Sequence, residues 1–294
     1  MQLIRRSRSA EHTSRVGAPA GRGRRAGDAV SAHEYLLDNQ AGEAKDRFSA
    51  LSALFDPVTF RHVDALGVAP GWQCWEIGAG GPSVPDGLAA RVSPGGRVLA
   101  TDLDTRWITG RTGPHVEVAR HDVVADDPPE GGFDLVHARL VLLHVPARME
   151  ALRRMVSTLR PGGWLLVEDY DVSLQPLICP DEVTPDQRLA NAVKAEFRQL
   201  LLERGADTEL GRRLPRMLRD AGLTHVEADA YFPLALPAVA VLESANVRQV
   251  RGALIERGNL SVADVDRYLE LASTAELDLA TPPLVSAWGR RPSS

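Results

Sequence analysis

The sequence has few cysteines. Only Cys74 and Cys179 occur among its 294 residues, and they lie far apart without forming a CxxC pair. Disulfide frameworks and zinc sites require cysteines at characteristic spacings, so neither kind of site is indicated, and we expect no bound metal. This sparse usage is typical of the reducing cytosol, and we therefore expect a cytoplasmic protein.

Long apolar runs are also missing. No stretch approaches the roughly 18 apolar residues that a membrane-spanning helix needs. The pair Arg5 and Arg6 is not followed by an apolar segment, so a signal peptide is not indicated. The formal net charge is -5, so the sequence lacks the excess of positive charge that favours binding to polyanions. We expect neither a membrane nor a nucleic acid as a partner.

Residues 1–29 lack a periodic apolar pattern. Residues 1–27 hold seven arginines and a single acid, Glu11. Such a composition predicts a disordered basic tail. A nucleic-acid or membrane tether is one interpretation of this tail. The absence of interleaved aromatic residues favours a solvated tail, or an over-extended start, instead.

What the sequence does contain is an alternation of strand-like and helical stretches. Predicted strands cover 72–77, 97–101, 116–119, 133–138, 164–168, 224–231 and 284–289. Predicted helices cover 83–92, 148–159, 187–203, 209–221, 239–257 and 261–273. Before them, a helix carrying Phe48 to Phe55 precedes a second, short helix that starts at Pro57. Strands separated by helices predict an α/β fold with a doubly wound, mostly parallel sheet.

A glycine-rich turn follows the first predicted sheet strand. Glu76-Ile77-Gly78-Ala79-Gly80-Gly81-Pro82-Ser83 allows the backbone to turn tightly and to approach a ligand closely. The nicotinamide fingerprint G-x-G-x-x-G fails, because Ser83 occupies the third glycine position. An ordinary connecting loop is the alternative interpretation. Pro82 removes one N–H from the loop, which could alter its grip on a ligand.

Two acids follow the next two strands. Asp102, 24 residues after Gly78, ends the second strand, where an acid can accept hydrogen bonds from both ribose hydroxyls. Its alternative role is a helix N-cap. Asp122 ends the third strand and could accept from an adenine amino group. Leu103 and Val123 could then sandwich the adenine ring.

Together with Phe133-Asp134-Leu135-Val136 and Leu159–Glu168, these features resemble class I S-adenosylmethionine-dependent methyltransferases. The likeness is greater to small-molecule members, such as those of quinone biosynthesis and secondary metabolism. It implies a Rossmann-like, seven-stranded sheet whose last strand is antiparallel, with a helical cap, and S-adenosyl-L-methionine as cofactor. The residues it assigns to the cofactor are Glu76, Gly78, Gly80, Gly81, Ser83, Asp102, Leu103, Asp122, Val123, Ala138 and Arg139.

The resemblance also implies a single domain over residues 30–294. Its parts are N-terminal cap helices in 30–70, a cofactor-binding core in 71–171, and a C-terminal part in 172–294 with substrate-lid helices and the final strands. The apolar content of the lid suits a small hydrophobic or aromatic acceptor, although core packing must explain most of it. The sequence leaves open whether the protein is a monomer or a homodimer.

Methyl transfer needs orientation more than acid–base machinery, and a base helps only when the nucleophile arrives protonated. His144 is the candidate base, with packing before Pro146 as the alternative; His137 is more typical of a structural residue. Asp169 and Tyr170 are candidates for orienting the acceptor. With Asp171 they could also hold a divalent cation or form a solvated loop. We expect Glu168 near the substrate entrance.

Other classes of function fit less well. An enzyme that binds the cofactor and catalyses a cyclisation or rearrangement is the main alternative, suggested by Pro82. Ser83 argues against a nicotinamide-dependent oxidoreductase. No local feature of the sequence favours a non-catalytic binding module. Asp127-Pro128-Pro129-Glu130 precedes the fourth strand, so it is not the motif of amino-methylating nucleic-acid enzymes.

Overall fold

The computed structural model describes residues 36–37, 42–110, 112–274 and 276–293. The predicted tail lies outside these residues. The helices are α1 (Ala44–Ala65), α2 (Ser83–Val92), α3 (Arg148–Thr158), α4 (Pro185–Glu203), α5 (Leu210–Asp220), α6 (Pro237–Glu256) and α7 (Val262–Thr274). The strands are β1 (Gln73–Ile77), β2 (Arg97–Asp102), β3 (Val116–Arg120), β4 (Phe133–Arg139), β5 (Leu159–Tyr170), β6 (Thr224–Tyr231) and β7 (Leu284–Arg290).

The seven strands form one sheet in the order β3-β2-β1-β4-β5-β7-β6. The pairs within β3-β2-β1-β4-β5 are parallel, whereas β7 pairs antiparallel with both β5 and β6. The prediction of a Rossmann-like, mostly parallel sheet with an antiparallel last strand is therefore confirmed. In such a sheet the carboxyl ends of β1, β2, β3, β4 and β5 meet at one edge, where ligands bind.

Alternation along the strands separates two layers of packing. Trp75, Val136 and Leu165 face the larger apolar core, to which α3 and α4 also contribute. The residues of opposite parity, Leu135 and Leu166 among them, pack with α2 and the end of α1 in a smaller core. The smaller core lies on the face of the sheet that α1 covers.

The prediction of two N-terminal helices is wrong, because α1 runs unbroken through Pro57. Proline lacks the N–H that would donate to the carbonyl of Ala53, and this omission usually ends a helix. Here tertiary packing outweighs the loss, because Val58, Thr59 and His62 are buried on the face that covers the sheet. A single helix therefore runs along one face of the sheet, from the glycine loop toward the far edge.

The strand predicted at 164–168 is longer in the structure, where β5 already begins at Leu159. The N–H of Gly162 donates to the carbonyl of Arg291 at 2.9 Å, and the N–H of Arg291 donates to Gly163 at 2.8 Å. Pairing with the chain after β7 thus supplies hydrogen-bond partners for backbone groups at the start of β5.

Helices α4, α6 and α7 form a cap, whereas α5 packs on the sheet. A capping box at Thr184 and Gln187 starts α4, which packs on α6 and α7, while α6 also packs along α1. Within the described residues, no helix combines the length and the apolarity required to cross a bilayer.

Candidate active site

The glycine loop after β1 is conformationally demanding. Gly78 and Gly80 have φ values of +63° and +60°, in the left-handed region that favours glycine. A Cβ on Gly78 would lie 2.4 Å from Cγ2 of Val141, and one on Gly80 would lie 2.7 Å from Cε1 of Phe48. Both glycines are therefore required by shape as well as by backbone angle.

Asp102 is tied to this loop. The N–H of Gly80 donates to its Oδ2 at 2.9 Å, and the N–H of Asp104 donates to its Oδ1 at 2.9 Å. Burial raises the pKa of Asp102, although these backbone donors oppose the shift. A carboxylate offers about four acceptor positions, so it can still accept further hydrogen bonds. The side chain of the adjacent Leu103 is 58% exposed, which leaves an apolar surface beside the carboxylate.

Asp122 follows β3 and stabilises its own turn. Its Oδ1 accepts from the N–H of Val124 at 2.8 Å and from that of Ala125 at 3.1 Å. Val123 is buried in the larger core. The structure thus places Asp122 at the expected strand end, with one carboxylate oxygen committed to the backbone.

Helix α1 covers the glycine loop. The ring of Phe48 lies against Gly80 and contacts the ring of Trp107 edge-on at 6.0 Å between centroids. The Oγ atoms of Ser52 and Ser83 are 2.8 Å apart, within hydrogen-bonding distance. Sequence reasoning missed Phe48, Ser52 and Trp107 as site residues. The periodicity of α1 showed a buried face without showing what that face would cover.

The end of β4 contacts α1, and the chain just after it lies against the glycine loop at Gly78. Ala138 is buried, and Arg139 donates to Oδ1 of Asp56 at 2.8 Å and to Oγ1 of Thr59 at 2.9 Å. Leu140 then has a φ of +58°, which is rare for a residue with a Cβ. Its N–H donates to the carbonyl of Glu168 at 2.8 Å. A strained residue held by a neighbouring strand is common beside functional sites.

His144 ends a 3₁₀ turn over Leu142–His144 that follows this strained residue. Burial lowers the pKa of His144 to about 4, and the positive charge of Arg47 acts in the same direction. The imidazole is therefore neutral near pH 7 and able to accept a proton, but it is a weak base, because its pKa lies well below that pH.

Asp169, Tyr170 and Asp171 do not form one exposed cluster. The first two lie within β5, and Asp169 accepts from the N–H of Leu143 at 3.0 Å. Asp171 is paired with the guanidinium of Arg212 at 2.6 Å. The solvated-loop interpretation is wrong for Asp169 and Asp171, because both are fully buried. Among the described residues there is no group of three side chains that could hold a metal ion.

Burial raises the pKa of Asp169 to about 7, although three backbone N–H donors oppose the shift. Asp169 is followed at the end of β5 by Tyr170. The centroid of the Tyr170 ring lies 5.8 Å from that of the Phe55 ring. Phe55 also contacts Tyr231, at the end of β6, at 6.2 Å. Aromatic side chains from α1, β5 and β6 therefore meet beside the carboxyl end of β5.

A row of charged side chains crosses the face of the sheet under α1. Nδ1 of His137 lies 2.5 Å from Oε2 of Glu76, and its Nε2 lies 3.3 Å from Oε2 of Glu168. Neither Glu76 nor Glu168 is at an entrance: Glu76 is 2% exposed and Glu168 is not exposed. The prediction that Glu168 lies at the substrate entrance is wrong, because the side chain packs inward on the alternation of β5.

These contacts change the protonation of the row. Burial disfavours the imidazolium of His137, but the carboxylates of Glu76 and Glu168 outweigh burial and raise its pKa to about 9. Burial would raise the pKa of Glu168, yet hydrogen bonds from His137 and His62 hold it well below its usual value. Burial raises the pKa of Glu76, and the neighbouring imidazolium only partly offsets the effect. His137 is thus a structural cation, in keeping with the structural role that the sequence favoured for it.

The loop and edge residues fit a nucleoside-containing cofactor. Asp102 keeps acceptor positions beyond its two backbone contacts, and Leu103 presents an apolar side chain next to them. Together with the sheet order, these features place the chain among Rossmann-like α/β proteins.

Comparison with known proteins narrows this class. Residues 73–228 match the family described as a methyltransferase domain, which covers more than half of the chain. The chain belongs to this family, and the resemblance stated from the sequence is confirmed.

Individual relatives are more distant. An uncharacterized 37.1 kDa protein in transposon TN4556 of Streptomyces fradiae is 29% identical over 235 residues, 76% of this chain and 62% of that protein. The ubiquinone biosynthesis O-methyltransferase of Burkholderia pseudomallei is 26% identical over 196 residues, 61% of this chain and 77% of that protein.

Among solved structures, one of phosphoethanolamine N-methyltransferase 2 from Haemonchus contortus has a TM-score of 0.56 and 14% identity. That structure is a complex with phosphomonomethylethanolamine and S-adenosylhomocysteine, and the match covers 90% of this chain and 61% of that one. At this identity the likeness shows the fold. The chain spans less than two thirds of the length of both the transposon protein and this solved chain.

Proposed function

We propose that this protein transfers a methyl group from S-adenosyl-L-methionine to a small hydrophobic or aromatic acceptor. The observation that carries the proposal is the hydrogen bond between Gly80 and Asp102, which joins the glycine loop to the acid at the end of β2. Membership of the methyltransferase domain family, across the segment that contains both residues, supports it.

Each part of the carboxyl edge has a role in this proposal. Gly78, Gly80 and Gly81 line the amino-acid and ribose portion of the cofactor, and Asp102 accepts from the ribose hydroxyls. Asp122 accepts from the adenine amino group, and Leu103 covers the ring. Glu76 and Arg139 support the site from behind, since both are engaged in buried contacts of the sheet and α1.

The bound cofactor supplies an electrophilic methyl group on a sulfonium, so the transfer is an in-line displacement. The protein's contribution is to orient the acceptor and to exclude water. The partly exposed rings of Tyr170 and Tyr231, which pack on the buried ring of Phe55, favour a flat, apolar acceptor on this side of the sheet. Neutral His144 accepts the proton that a hydroxyl acceptor releases as its oxygen takes the methyl group; with a pKa of about 4 it is too weak a base to deprotonate an ammonium group.

Calorimetric titration with S-adenosylhomocysteine tests the cofactor site. Asp102→Asn weakens the charge-assisted hydrogen bonds to the ribose, which are worth about 1.5–3 kcal/mol, so affinity should fall about 10- to 100-fold. Asp104→Asn is the matched control, because that carboxylate contacts Arg106 of the following turn, accepting from its N–H and its Nε. Absence of binding by the unchanged protein, at millimolar ligand, would remove the proposal.

Turnover products separate this proposal from its alternative. With an acceptor found by screening, methyl transfer forms one S-adenosylhomocysteine per product molecule. Product that forms without S-adenosylhomocysteine would point to the cyclisation or rearrangement enzyme instead. Quenching of tryptophan fluorescence by NADH, with none by S-adenosylhomocysteine, would indicate the oxidoreductase.

A further inference from the structure

The charged row under α1 continues across the sheet to β6, the strand at its edge. Glu168 pairs with Ser286 in the β5–β7 register, and Ser286 pairs with Asp229 of β6. The Oγ of Ser286 donates to Oε1 of Glu168 at 2.7 Å. Oε1 of Glu168 also lies 3.3 Å from Nδ1 of His62, whose Nε2 lies 3.0 Å from Oδ1 of Asp229. Carboxylates and imidazoles therefore alternate from Glu76 in β1 to Asp229 in β6.

Glu168 is the point at which this row grips α1. Thr59 donates to Oε2 of Glu168 and accepts from Arg139, so one hydroxyl joins α1 to β4 and β5. His62 adds an ion-pair contact one turn further along. Thr59, His62 and Glu168 are all at least 95% buried, so these contacts are made out of water, where each is strong.

The other half of α1 is the part that covers the glycine loop. Phe48 lies on Gly80, and Ser52 contacts Ser83. In this half, Asp56 accepts from Arg139 of β4, whereas the contacts described with the glycine loop itself are the ring of Phe48 and the hydroxyl of Ser52. Because α1 is continuous from Ala44 to Ala65, its anchored half sets where its covering half lies.

We propose that Glu168 is a positioning residue that holds α1 closed over the glycine loop, through Thr59 and His62, and thereby strengthens cofactor binding. This inference rests on the proposed function for the identity of the ligand. The holding of α1 itself does not depend on that identity.

Hydrogen–deuterium exchange of the ligand-free, full-length protein tests the first step. In Glu168→Gln, which keeps the shape of the side chain and removes its charge, amides of residues 44–56 should exchange at least 10-fold faster. Thr59→Val, which removes the hydroxyl at nearly constant volume, should have the same effect, and Thr59→Ser should restore slow exchange. Asp64→Asn is the control, because it removes only an exposed ion pair with Arg91 from the same helix.

The second step is measured as the dissociation constant for S-adenosylhomocysteine in the same proteins. We expect a rise of at least 10-fold in Glu168→Gln and Thr59→Val, and a change of less than twofold in Thr59→Ser and Asp64→Asn. A role confined to general stability would speed exchange in α4 and α7 as much as in α1, and that result would overturn the proposal. Faster exchange in α1 with an unchanged dissociation constant would also overturn it.

The two proposals fail in different ways. If the unchanged protein does not bind S-adenosylhomocysteine, the proposed function fails, whatever the exchange data show. If the unchanged protein binds but neither Glu168→Gln nor Thr59→Val alters exchange in residues 44–56, only the positioning role fails. Thr59→Val keeps the test decisive if Glu168→Gln does not fold.

Discussion

At the scale of single residues, Gly80 shows how one position serves both the backbone and the packing. Its φ of +60° disfavours any side chain, and its open face is filled by the ring of Phe48. The sequence indicated the turn, because consecutive glycines after a strand predict one. It did not indicate the ring, since Phe48 lies 32 positions earlier and only tertiary structure brings it close.

Gly80→Ala should lower the free energy of unfolding by about 2–4 kcal/mol, through the left-handed backbone and the overlap with Phe48 together. Gly67→Ala is the matched control, because Gly67 has a φ of +80° with open space where a Cβ would lie. Its loss should be about 1–2 kcal/mol, the backbone contribution alone. Urea denaturation measures both. Equal losses would show that Phe48 yields easily and does not constrain the loop.

Among the candidate site residues, those in local motifs were the predictable ones. Gly78, Gly80 and Asp102 follow strand ends, and a strand end in a parallel sheet has a known place. The role of Glu168 was not predictable, because its partners Thr59, His62 and Ser286 lie up to 118 residues away along the chain. The burial of Asp169 and Asp171 was not predictable for the same reason, since it depends on segments that pack from elsewhere.

At the scale of elements, the helical cap carries a buried ion pair. Nζ of Lys194 in α4 lies 2.9 and 2.8 Å from the two carboxylate oxygens of Glu243 in α6. Both side chains are less than 10% exposed. Such a pair fixes the relative placement of two helices, because removal of either partner leaves a charge without water.

Lys194→Met should therefore destabilise the protein by about 3–5 kcal/mol, whereas Lys194→Met with Glu243→Leu should recover most of the loss. Arg251→Ala provides the comparison on the outside of the cap, because its pair with Asp266 is exposed and is worth under about 1 kcal/mol. Thermal unfolding of the four proteins measures this. A double variant no more stable than Lys194→Met would show that the pair also makes specific polar contacts.

At the scale of the whole molecule, the charged row makes stability depend on pH. His137 is faced by Glu76 from β1 and Glu168 from β5, with Arg139 on its own strand. Its folded pKa of about 9 lies above the unfolded value of 6.5, so its contribution is complete below pH 6.5 and is lost as pH rises through 9. Glu168 has a lowered pKa, so its contribution is present above pH 4.5 and is lost as pH falls.

The free energy of unfolding of the unchanged protein should thus fall between pH 6.5 and pH 9, by on the order of 3 kcal/mol from His137. The difference between this protein and His137→Gln isolates the contribution, because Asp169 and the other groups titrate in both. NMR titration of the His137 imidazole should give a midpoint near pH 9. A midpoint near 6.5 would contradict the account of the row.

The sequence by itself determined the order of strands and helices, the turn at Gly78–Gly81 and the acid at Asp102, because these follow from local periodicity and from neighbours along the chain. Only the tertiary structure decided that α1 continues through Pro57, that Phe48 covers the loop and that Glu168 holds α1. The physical reason is that burial of charge and close approach of backbones depend on segments distant in sequence, and no local pattern records them.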